Sequence, residues 1–186
     1  MVQISRQART SGASRKKTTN NRLLVVVDES SSSRRAVEYV AKVLASRRGF
    51  QVCLAHFLSP LPPTLLEFGG SEDPDKERQL DARLKTEQQE WIAAARKKAQ
   101  PALNGAYAKL RRGGLPASSL TTQFSDPFRG QNSASEEILE LARINKCRTI
   151  VIGRQSLPWL QRLTGGKDLA EKLVQQAKDR TLWIVE

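Results

Sequence analysis

The stretch VIGRQSLPWLQRLTGGKDLAEKL, residues 151–173, places glycines at 153, 165 and 166 between an apolar run and a helical pattern. Glycine lets backbone approach a ligand closely, and a helix that opens just after it offers free N–H groups to phosphate. Lys167, Arg154 and Arg162 would add positive charge there. A phosphate-binding loop is the first chemistry these residues suggest. The second lies at Asp28, a carboxylate directly after the apolar run Leu23–Val27. It can accept hydrogen bonds from a ribose, or it can cap the next helix and order the DESSSS turn. Taken alone, the glycine pattern is a weak signal, because basic loops are expected on a chain with net charge +12.

The elements that must hold these residues follow from periodicity. Leu23–Val27 is rich in β-branched residues without alternation, which predicts a strand buried on both faces. Val37, Val40, Ala41 and Leu44 recur at helical spacing, with Gly49 as a stop. FQVCLAHFL, from Phe50, reads as a second strand ending near His56 and Phe57, and residues 59–74 as a Pro- and Gly-punctuated loop. From Asp75 a helix carries Leu80, Leu84, Trp91, Ile92 and Ala95 inward. Pro101 is expected to break or kink it before Leu103, Ala106, Tyr107 and Leu110 continue the stripe to Gly113.

SSLTTQF is a third strand. Ser133 with Glu136 forms a capping-box pattern opening a helix with Ile138, Leu139, Leu141 and Ala142 inward. RTIVIG is a fourth strand. KDLAEKLVQQAKD is a helix with Leu169, Leu173 and Val174 inward, and TLWIVE is a fifth strand, with Trp183 in the sheet core or a dimer interface. Strands alternating with helices predict an α/β fold, a five-stranded parallel open sheet with helices on both faces, flavodoxin/Rossmann-like. Ligands of such sheets bind outside the carboxyl ends of the strands, where strand order reverses. Asp28 and Gly153 end the first and fourth strands, and a flavodoxin-like order is expected to make those ends neighbours.

The 186 residues suit one domain without staples. No apolar run approaches the ~20 residues of a membrane span. Cys53 and Cys147 stand far apart without Cys/His clustering, which points to two buried thiols rather than a disulfide framework or zinc site. Residues 1–22 hold six basic residues and no acid. Residues 1–21 are therefore expected to be a disordered basic tail before a domain at 22–186. The tail suits an anionic partner such as nucleic acid, or organelle import as a transit peptide; otherwise a cytoplasmic protein is expected.

VVVDESSSSRRAVEYV, VCLAHF, and Gly153 with Gly166 thirteen residues later together resemble the universal stress protein family. Asp28, Ser30, Ser33 and Ala36 stand in register with its V-x-V-D-x-S-x-x-S-x-x-A pattern, and ILELARINKCRTIVIG resembles its helix and strand before the nucleotide loop. The resemblance covers roughly residues 22–186, apart from the middle helix. It implies an adenine nucleotide alpha hydrolase-like fold, a homodimer through the last strand, and ATP or ADP with Mg2+ in some members. The contacts it implies are Val26, Val27, Asp28 and Phe57, then Gly153, Ser156, Gly166, Lys167, Asp168 and Leu169. His56 matches a position that is often histidine. No catalytic or metal-binding residue is implied, and hydrolysis is expected to be slow or absent.

The chain departs twice from the family's G-x-x-G, nine residues, G-(Ser/Thr) loop. Ser156 replaces the second glycine, and Lys167 replaces the hydroxyl residue. If position 156 needs φ > 0, serine costs ~1–2 kcal/mol. Affinity then drops roughly 5–30-fold. A missing hydroxyl removes about 0.5–1.5 kcal/mol, which a lysine cation can offset on phosphate. Trp159, mid-loop, packs on the loop or stacks on a base. Three readings follow: a nucleotide-binding dimer, a dimeric interaction module with a defunct pocket, and nucleic-acid association through the tail.

Overall fold

The computed structural model describes residues 21–45, 47–66, 72–128, 133–154 and 169–186. Ser156, Trp159, Arg162, Gly165, Gly166, Lys167 and Asp168 lie outside them, as do residues 1–20 of the basic tail.

Five strands form one parallel sheet: β1 Arg22–Val26, β2 Gln51–His56, β3 Leu120–Phe124, β4 Thr149–Gly153 and β5 Thr181–Val185. Their order is β3-β2-β1-β4-β5. The chain winds one way from β1 through β3, then crosses to β4 and winds the other way. The expected α/β class holds. The neighbourhood of Asp28 and Gly153 comes from this Rossmann-type order, in which β4 borders β1.

β1 at the centre is apolar on both faces because both are covered. Leu23 and Val25 face α1 (Ser31–Leu44) and α2 (Pro74–Arg112), joined by Val37, Val40, Leu44, Leu103, Ala106 and Leu110. Leu24 and Val26 face α3 (Ala134–Ile144) and α4 (Leu169–Gln176), joined by Ile138, Ala142, Leu169 and Leu173. Val174 points outward, 60 % exposed, contrary to its expected inward place. Leu169, Ala170 and Leu173 already complete the stripe of this short helix.

The ends of the helices follow local chemistry. Ser30 caps α1, its hydroxyl accepting the Ser33 N–H at 3.0 Å. Ser133 and Glu136 form the expected capping box on α3. The main departure is α2, one helix of 39 residues that runs through Pro101 rather than breaking there. Pro101 is exposed, so water can serve the carbonyl that its ring leaves unbonded. Beyond it, buried Leu103, Ala106 and Leu110 hold the helix to the core. α2 closes with Gly114 at φ 94°, the Gly114 N–H on the Arg111 carbonyl and the Leu115 N–H on that of Leu110.

Cys53 and Cys147 are free and buried. Burial holds the Cys53 thiol above its ordinary range, and burial, then Cys53, pushes Cys147 up to about 11. Both are protonated and poorly nucleophilic at neutral pH. Among the described residues, no helix is long and apolar enough to cross a membrane.

Candidate functional site

The carboxyl ends of β1 and β4 meet at the point where strand order reverses. Around them lies a small cavity lined by Val26, Asp28, Ser33, Ile152, Gly153 and Leu169. Its geometry rests on how closely the start of α1 approaches β4. A Cβ added to Gly153 would stand 2.4 Å from the Ser32 carbonyl carbon and 2.7 Å from the Ser33 nitrogen. Only glycine permits that approach, so Gly153 has a packing duty as well as its place at the mouth of the following loop.

Asp28 leaves β1 in a tight, hydrogen-bonded turn. Its backbone N–H donates to the Ser33 hydroxyl at 2.9 Å, and its Oδ1 accepts the Ser30 N–H at 2.8 Å. Ser32 and Ser33 are buried, and the Ser30 and Ser32 hydroxyls lie 3.0 Å apart. The carboxylate orders the turn, while Ser30 caps the helix. Of the alternatives open in the sequence, turn-ordering is therefore met, and Asp28 stays half-buried at the crevice.

The other expected contacts divide. Val26, Gly153 and Leu169 line the cavity with Asp28. Val27 belongs to the core on the α1/α2 side of the sheet. Phe57, expected against a base, is 3 % exposed and packed in the α3/α4 core layer. Arg154, a candidate cation for the loop, pairs instead with the Glu186 carboxylate, and its N–H donates to the Val185 carbonyl. Leu169 opens α4 as described, with Ser156, Gly166, Lys167 and Asp168 in the preceding fifteen residues of sequence.

His56 ends β2, 5 % exposed, and neither ring nitrogen finds a hydrogen-bond partner among the described residues. Its Nε2 lies 3.5 Å from a Glu29 carboxylate oxygen, and its ring meets the Phe124 ring at 6.0 Å. Burial holds its pKa below the ordinary histidine value, with Glu29 acting in the opposite sense. The ring is neutral at pH 7. Glu29 is a residue that sequence reasoning missed, because its place beside His56 depends on β1 and β2 ending side by side. Trp183 is half-buried in β5, its ring perpendicular to that of Tyr39 with centroids 5.8 Å apart. No group of three or more potential metal ligands occurs among the described residues.

This architecture recurs in solved structures. The family pattern described as the Universal stress protein family matches residues 19–182. A universal stress protein family structure from Burkholderia pseudomallei is 15% identical, covering 89% of this chain and 96% of that one, with a TM-score of 0.57. The universal stress protein UspA from Lactobacillus plantarum is 16% identical over 90% and 98% of the two chains, with a TM-score of 0.58. A universal stress protein solved in complex with cAMP is 17% identical over 89% and 97%, with a TM-score of 0.55. No curated protein shows significant sequence similarity to the chain.

Proposed function

The chain belongs to the universal stress protein family, and from that premise we propose that it is a stress-response protein binding ATP or ADP where β1 and β4 end. One observation carries the reading: Gly153 and the start of α1 approach so closely that Asp28 and the entrance to the β4–α4 loop share one crevice. In this reading Asp28 receives the ribose or base side of the nucleotide. The residues after Gly153, with Ser156, Gly166, Lys167, Asp168 and Leu169, take its phosphates with Mg2+. The related structure solved with cAMP supports an adenine nucleotide as the ligand class. Lys167 replaces a neutral hydroxyl donor with a cation, which suits phosphate but not the same hydrogen bond.

Hydrolysis is slow or absent in this proposal, in which Asp28 orders the turn after β1, its Oδ1 accepting the Ser30 N–H at 2.8 Å. The protein works as a homodimeric switch joined through β5, whose partly exposed Leu182, Trp183 and Ile184 offer apolar area at a sheet edge. The protonated buried thiols suit a reducing compartment and support a cytoplasmic location. The basic tail is proposed to take an anionic partner.

A second reading is a dimeric interaction module of the same fold without nucleotide. It is favoured by the burial of Phe57, which presents no ring to a base. Titration of nucleotide-free protein and its Asp28→Asn variant with ATP and Mg2+ separates the two. The asparagine oxygen can still accept the Ser30 N–H, so the turn persists while the charge is lost. Weaker binding in the variant supports the nucleotide reading. Absence of binding in a folded, dimeric wild type supports the interaction module.

A further inference from the structure

Because every strand is parallel to its neighbours, all five begin at one edge of the sheet, and the helices α1 to α4 end there. Each way into the sheet from a helix carries two basic residues. Arg47 and Arg48 precede β2, and Arg111 and Arg112 close α2 ahead of β3. Lys146 and Arg148 precede β4, Lys178 and Arg180 precede β5, and Arg22 begins β1. All are exposed except Arg180, which is half-buried. Asp179 is the one carboxylate in the same connections. The other edge has the opposite sign. Within three residues after the strands stand Asp28, Glu29, Asp126 and Glu186, against one base, Arg154, which pairs with Glu186.

The charge at the amino edge is presented rather than neutralised. The side chains of Arg47, Arg48, Arg112 and Arg148 make no hydrogen bond or ion pair among the described residues. The first three share one corner, since Gly113 and Gly114 pack on Ala41 and Ala45. Arg111 and Arg180 donate to the main-chain carbonyls of Leu115 and Cys147, which fix their place without adding a countercharge. The four helix ends bring about half a negative charge each, enough to offset about two of these positive charges.

The spacing and chemistry of this edge suit a polyphosphate chain. Five strands span about 19 Å, and a nucleic-acid duplex carries one charge for each ~1.7 Å of its axis, so that length faces about eleven phosphates. Seven of the nine basic residues are arginines, whose planar fork takes two oxygens of one phosphate. Phe50, the one aromatic residue in these connections, packs against the core and offers no platform for an unpaired base. A membrane surface fits less well. The exposed large hydrophobics nearest these connections among the described residues, Ile144 and Val174, stand on separate helices, and a basic patch without an apolar anchor holds weakly.

We infer that the amino edge of the sheet is a docking surface for duplex nucleic acid, gripped through its phosphates without regard to base sequence. Residues 1–20, with five further basic residues and no acid, enter the fold at this edge through Arg22. The inference stands on the folded residues, apart from the tail, and is independent of the nucleotide reading.

Fluorescence anisotropy of the full chain with a labelled duplex of about 20 base pairs, from ~50 to ~200 mM salt, tests it. Binding should be equal for unrelated sequences, with log affinity falling against log salt by about 0.9 for each phosphate neutralised. Arg47→Gln/Arg48→Gln/Arg112→Gln should weaken binding about tenfold or more and flatten that slope by about 2–3. Arg78→Gln/Arg83→Gln/Lys85→Gln removes the same charge from the exposed first half of α2 and should cost less than about threefold. Equal losses in the two variants would reduce the effect to net charge and overturn the surface. So would unchanged binding by a folded edge variant, including the case in which glutamines at the five basic residues of 1–20 abolish binding, which leaves the tail alone as the partner site. Tighter binding to phosphatidylserine vesicles than to the duplex overturns the choice of partner. Should the edge variant fail to fold, Arg47→Gln and Arg112→Gln replace it singly, each expected to cost about threefold.

Discussion

Gly153 and Ser32 are in backbone contact: a Cβ on the glycine would stand 2.4 Å from the serine carbonyl carbon. The obstacle is main chain, so it cannot rotate away. Gly153→Ala must push the start of α1 off the sheet, and Ser30, Ser32 and Ser33 move with it. A loss of about 1–3 kcal/mol is expected from such overpacking. Urea denaturation of the two proteins measures it, and an unchanged midpoint would show that α1 is free to give way.

Ser33→Ala tests the turn from the other side. The Ser33 hydroxyl is buried and is the acceptor for the Asp28 N–H at 2.9 Å. Removing it leaves that donor unanswered, at a cost of about 1–3 kcal/mol. Ser30→Ala removes the cap of α1 and should cost about 1 kcal/mol. Because Ser30 and Ser33 belong to one hydrogen-bonded turn, the double variant should lose less than the sum, which a double-mutant cycle reads directly.

These turns were largely legible in advance, because they depend on neighbours in sequence. The unbroken apolar run of β1, the capping box at Ser133 and Glu136, and the stop at Gly113-Gly114 each state their own structure. What stayed hidden depends on packing between distant segments. Pro101 predicts a break or a kink, but the helix runs on, because Leu103 and Leu110 anchor the part beyond it to the core. The resemblance assigns Phe57 to the site, and its burial in the core layer under α3 and α4 has no local mark in the sequence. Neither the Glu29–His56 approach nor the gathering of basic residues at the amino edge has any local signature, since each exists only once the parallel strands are assembled.

His56 should make stability pH-dependent. Burial lowers its folded pKa below the 6.5 of the unfolded chain, with Glu29 and Asp28 opposing. The unfolded state therefore binds more protons near and below that value, and stability is lost as pH falls through it. Unfolding free energies compared between about pH 7.5 and pH 5.5 should fall for wild type and stay flatter for His56→Phe. Parallel slopes would mean that the ring accepts its proton without penalty in the folded protein.

Pro101→Ala should stabilise the protein. The substitution restores an N–H to α2 and removes a ring clash in a helix interior, where proline costs up to about 3 kcal/mol relative to alanine. The site is exposed, so no core packing is lost. A rise of about 1 kcal/mol or more in urea denaturation is expected. A fall would show that α2 depends on the proline.

The central claim is that an adenine nucleotide binds where β1 and β4 end. Calorimetric titration of nucleotide-stripped protein with ATP and Mg2+ tests it most directly, with Gly166→Val beside wild type. The account predicts saturable binding, on the order of micromolar, by wild type and its loss in a variant that remains folded. No heat from folded wild type, or equal binding by the folded variant, would contradict it.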